Sequence, residues 1–199
     1  MAGEDRARAM AASVARTARS HGVDPEEVKL LNRAHALAME ERVVTLQDPR
    51  HPVLLHPGHT VLVLLHDVGL VDTTLLAAAA LTESADDAFR VPLDRVRTVV
   101  SEAVANVVAA VPLSGSPDLA EELVTAPSEI RLVALAERLD HLRHAHLRGD
   151  VEWGRAAHEE ATRVYLPVAE RTHERLAARY RHWCRTFAGR FAPPGGGSR

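Results

Sequence analysis

The chain has 199 residues, 46% hydrophobic but only 4% aromatic. A core built from Leu, Val and Ala with so few rings favours helices over sheets, and the length favours one domain. A formal net charge of −3 with both signs interspersed excludes a nucleic-acid-coating surface, and the single cysteine, Cys184, excludes an internal disulfide framework.

The first segment, EDRARAMAASVARTARSHG, reads as a helix stopped by Gly22. It holds acidic residues and no apolar run of signal length. No stretch reaches the roughly 20 apolar residues of a membrane span. A cytoplasmic protein with no membrane and no nucleic-acid partner is expected. The Ala- and Arg-rich faces of this helix suit packing on the domain or on another copy, which leaves a homo-oligomer open.

Asp24, Pro25 and Glu27 give the next helix a strong start. Leu30, Leu31, Ala34, Leu37 and Ala38 form its apolar face. A Pro-containing loop, TLQDPRHPVLLHPG, follows, and helical patterning resumes at HTVLVLLHDVG, up to Gly69. Asp72 caps the helix LLAAAALTES, Pro92 opens VPLDRVRTVV, and Ser101 caps SEAVANVVAAV. DLAEELVTA is a short helix ended by Pro127, and Ser128 starts the long helix EIRLVALAERLDHLRHAHLRG. The last helical stretch, from about Val151 to Phe191, is expected to bend or break at Pro167. Residues 1–191 are therefore read as one all-α domain, a bundle of about nine or ten helices. Residues 192–199, APPGGGSR, are read as a flexible tail.

Three segments set acidic or histidine residues where an apolar face ends: His56 and His59 in LLHPGH; Thr82, Glu83, Asp86 and Asp87 in ALTESADD; Glu137, Asp140, His141 and His144 in VALAERLDHLRH. A carboxylate at Glu137 is costly on a buried stripe unless it is paired or bound to metal. His66-Asp67 is an adjacent His-Asp pair, but it sits at a helix end before Gly69, where a histidine favours the dipole and the last carbonyls. His141 and His144 stand at i,i+3, as do His56 and His59, and His146 lies nearby. A zinc site from His56, Glu137 and His141 is one arrangement this spacing allows; a solvent-exposed His-Arg face is the other.

In order, these segments resemble the HD hydrolase domain of RelA/SpoT-type alarmone enzymes and of stand-alone small alarmone hydrolases, most strongly over 35–173. Pro52, His56 and Pro57 match the family's first ligand segment. LLAAAALTESADD stands where the family has Ala-Ala-Leu-Leu-His-Asp-x-x-Glu-Asp. Leu135, Ala136, Arg138 and Leu139 match the last ligand segment, and Glu160, Tyr165, Pro167 and Ala169 a closing motif. The resemblance implies a metal-dependent nucleotide phosphohydrolase or pyrophosphohydrolase, with an alarmone-like nucleotide as partner and a divalent metal, manganese by resemblance, as cofactor. It implies His56, Thr82, Glu83 and Glu137 as metal positions, and Asp86 and Asp87 as the groups serving the attacking water. Arg138, His141 and Tyr165 fall to the substrate, and Arg42, Arg138 and Arg143 remain as anion partners.

The family's two His and two Asp have become His, Thr, Glu and Glu, and a threonine hydroxyl is a poor substitute for imidazole. The alternative is thus a catalytically inactive HD-like nucleotide-binding or interaction module, holding no metal. Both readings need His56, Glu83 and Glu137 to converge in space.

Overall fold

The computed structural model describes residues 2–46, 48, 50–147 and 150–191, apart from the side chains of Glu41, Pro52, His146 and Phe191. The tail 192–199 and the His146 side chain lie outside that range. The described residues are helical and contain no strand. The elements are α1 (Ala2–Ser20), α2 (Pro25–Thr45), α3 (His56–Val63), α4 (Thr73–Leu81), α5 (Leu93–Val99), α6 (Glu102–Ala110), α7 (Leu119–Thr125), α8 (Ser128–Arg143), α9 (Val151–Glu160), α10 (Leu166–Thr172) and α11 (Glu174–Phe191). A π-helical turn joins α9 to α10 without a break, so the described residues form ten rods. No helix among them is long and apolar enough to cross a membrane.

Local chemistry sets most boundaries. Asp24 accepts from the Glu26 amide at 2.7 Å ahead of Pro25, and Gly22 takes φ +90° after α1. Asp72 accepts from Leu75 N and Ser101 from Val104 N, capping α4 and α6. Helix α4 is apolar all round, and every residue in it but Thr74 is buried. A helix of that kind belongs at the centre of a bundle, and α2, α3, α6 and α8 pack around it. One continuous hydrophobic cluster runs from Val14 in α1 to Cys184 in α11.

Two boundaries differ from expectation. Helix α3 starts at His56, three residues earlier than the apolar pattern places it, because the 3-10 turn Pro52–Leu55 feeds straight into it. His56 and His59 therefore share one helix. The chain also stays helical through Pro167. Proline has no N–H for the carbonyl four residues back, and the wider π turn Ala161–Tyr165 just ahead accommodates that loss. The break comes instead at His173, with φ −159° and ψ 124°.

Candidate metal centre

Helix α4 ends in oxygen-bearing side chains that take different directions. Thr82 is the C-cap, and its backbone turns to extended geometry. Its hydroxyl donates to the Ala78 carbonyl at 2.8 Å, back into its own helix, so it does not face the carboxylates as a ligand. The turned chain sends Glu83 inward, and Ser84 donates to Glu137 through both N–H (2.9 Å) and Oγ (2.8 Å). Asp86 caps the short 3-10 turn Asp87–Phe89, and Asp87 is exposed and paired with Arg90 at 2.6 Å. Neither aspartate joins the buried cluster.

Helices α3 and α8 bring the remaining groups together. His56 lies at the start of α3, and its Nδ1 is 2.9 Å from Asp140 Oδ2. That leaves His56 Nε2 buried and without a hydrogen-bond partner, 3.9 Å from Glu137 Oε1. His141 Nε2 lies 3.2 Å from Glu137 Oε1 and 3.0 Å from Glu83 Oε1. The His56 and His141 rings are 4.1 Å apart, centre to centre. Ligand atoms of His56, Glu137 and His141 all fall within 4.8 Å of one another. The convergence of His56, Glu83 and Glu137 expected from the sequence is thus present, with His141 as a full member.

Glu83 has the most partners. Arg42, itself 2% exposed, donates to Glu83 Oε2 at 2.5 Å, lies over the Phe89 ring and reaches the Ala38 carbonyl. Arg42 is therefore a buried ion-pair partner here, turned away from any approaching anion. Burial pushes the Glu83 carboxyl up, but hydrogen bonding and charge from His141, with His56 and Arg42, outweigh it and hold it near 2. Burial pulls His141 down, yet the charge and hydrogen bonds of Glu137 and Glu83 raise it to about 9. Burial also raises Asp140, and its bonding to His56, with His59 beside it, more than reverses that. Three buried carboxylates thus face the Arg42 guanidinium and a His141 imidazole that they hold protonated, and a metal ion entering here takes the place of that proton.

The residues fit a transition metal on one direct observation. His56 Nε2 is an orphaned buried nitrogen aimed at Glu137, and its ring is fixed through Nδ1 by a carboxylate. A carboxylate behind a histidine is the common outer support of a metal-ligating imidazole. Two imidazoles and one carboxylate suit zinc or manganese. Glu83 stands beside this triad as the link between His141 and Arg42.

The other sequence candidates lie around this centre. Arg138 pairs with Glu160 and lies over the Tyr165 ring. The Tyr165 hydroxyl is 3.3 Å from Ser114 Oγ, which meets Ser84 Oγ at 3.0 Å. A surface cleft lined by Ala85, Ser114, Arg138 and Glu160 opens on this side of the Ser84–Glu137 contact. His66 is exposed, and Asp67 accepts from Arg179 at 2.8 Å, so that pair stays apart from the centre. Sequence reasoning gave Asp140 no role in fixing His56. The signal was its place one turn after Glu137, on the same face. Comparison of the chain with family models, with curated proteins and with solved structures returns no match.

Proposed function

We propose that this chain is a divergent, divalent-metal-dependent phosphohydrolase or pyrophosphohydrolase acting on a nucleotide, of the kind its sequence resembles. The observation behind the reading is the orphaned His56 Nε2 facing Glu137 and His141, with its ring held by Asp140. His56, Glu137 and His141 would hold a divalent cation, which would supply Lewis acidity to a bound water and a phosphoryl oxygen; manganese and zinc suit the donors. Ser84 orients Glu137 by two hydrogen bonds, and Glu83 shares His141 Nε2 with Glu137. A phosphate entering the Ser114–Arg138 cleft competes with Glu160 for the Arg138 guanidinium.

A second reading, a non-catalytic helical module, has its own observation. Ser84 already satisfies both oxygens of Glu137, and Arg42 and His141 satisfy those of Glu83, so the polar centre also closes as an ion-pair network. Metal analysis of protein purified without chelator, followed by melting curves with manganese, zinc and magnesium, separates the two. The enzyme reading expects bound metal and a raised melting temperature, with one metal equivalent and its share of the shift lost in a His56→Gln, Glu137→Gln double variant. It then expects phosphate or pyrophosphate release from a nucleotide panel that includes guanosine 3′-pyrophosphates. No metal and no shift leave the module.

A further inference from the structure

Each residue of the buried triad has a counterpart three positions on. His56 is followed by His59, Glu137 by Asp140, and His141 by His144. Three residues are nearly one helical turn, so a second set of the same composition lies one turn along α3 and α8. Ligand atoms of His59, Asp140 and His144 also all fall within 4.8 Å of one another. We infer that this outer His59–Asp140–His144 set is a second divalent-metal site, of the zinc and cobalt class, placed at the surface end of the buried one.

Two orphaned atoms point to a ligand. Asp140 is 1% exposed, and its Oδ1 has no hydrogen-bond partner. His59 Nδ1 is likewise buried and unpartnered, 3.5 Å from that oxygen, too far for a well-formed hydrogen bond. The two atoms face each other at ion-pair distance with no closer partner, a gap that a cation bound to both would bridge. His144 Nδ1 is 2.9 Å from the Asp140 carbonyl and 3.8 Å from Asp140 Oδ2, so the imidazole stands against the same residue. The His59 and His144 rings stack with centroids 5.7 Å apart and 18° between planes. Their side chains are 29% and 27% exposed, whereas the inner ligands are closed off, so the outer set is open to solvent. His144 is also the C-cap of α8, where the helix dipole is negative and a cation is favoured. Two nitrogens and one carboxylate oxygen, with coordination positions left for water, select a borderline-soft ion over magnesium.

The inference stands on its own atoms and shares only Asp140 with the centre proposed above, through Oδ2 on His56. Cobalt(II) is the probe, because its visible absorption reports nitrogen and oxygen ligation. Tag-free chain is titrated to saturation and bound equivalents are counted after gel filtration. The chain has 12 histidines, so a difference between variants decides. Two equivalents in the native chain, falling to one in a His59→Gln, His144→Gln variant, is the expected result. His144→Gln alone, at a partly exposed helix end, gives the same loss if the double variant does not fold. One equivalent in the native chain, unchanged in these variants, overturns the outer site and leaves the inner centre intact. One equivalent abolished by these variants, and untouched by Glu137→Gln, supports the outer site and removes the inner metal. No tight cobalt at all overturns both.

Discussion

Arg42 and Glu83 form a buried pair whose separation is costly. Both are almost completely buried, and Glu83 also holds His141. Glu83→Gln leaves an unpaired guanidinium in the core, and removing one partner of a buried ion pair costs about 3–5 kcal/mol. Denaturant melts of the metal-free protein should show that loss. An Arg42→Met, Glu83→Leu double variant should recover most of it, since apolar replacement of both partners removes the stranded charge. His35 gives a second measurable effect. Burial, then the charge of Arg42, lowers its pKa from 6.5 to about 4 in the folded chain. The unfolded chain takes up the proton first, so the stability from neutral His35 is complete above pH 6.5. It is lost as pH falls from 6.5 towards 4, on the order of 3 kcal/mol. A His35→Gln variant should show a flatter stability curve over that window.

Among elements, α3 sits tight against α1. A Cβ on Gly58 meets Met10 Cγ at 2.2 Å and His35 Nε2 at 3.3 Å, so only glycine lets α3 approach α1 this closely. Gly58→Ala should destabilise the fold by about 1–3 kcal/mol, as overpacking does. Because Gly58 lies between His56 and His59, the same change should weaken cobalt binding, read by titration. The elements show what the sequence makes legible. Asp24, Asp72 and Ser101 mark helix starts because a cap is a local event between neighbours in the chain. The start of α3 is not legible in the apolar pattern, because the 3-10 turn Pro52–Leu55 that feeds it has no α-helical period. Pro167 misleads for a similar reason: the helix is rescued by a change of hydrogen-bond register, which leaves no mark in composition.

At the scale of the molecule, the sequence marks the groups of the buried centre but not their allegiance. His56, Glu83 and Glu137 are visible as polar residues at the ends of apolar stripes, and they do meet. That Arg42 takes one oxygen of Glu83, and that Thr82 turns back on its own helix, depends on how α2, α4 and α8 pack. The candidate centre is thus a property of the bundle, and α11 takes part in it from a distance. The Tyr180 hydroxyl donates to the Leu135 carbonyl at 2.8 Å, and the Trp183 indole to that of Leu142 at 2.7 Å. Leu142 lies in the last turn of α8, where carbonyls lack partners within their own helix. Trp183→Phe should cost about 0.5–1.5 kcal/mol in denaturant melts, and it should blunt the cobalt spectrum of the outer set more than that of the inner. The final helix is a splint: it grips α8 two residues before His144, and the rigidity of that distant end is inherited from a segment some forty residues downstream.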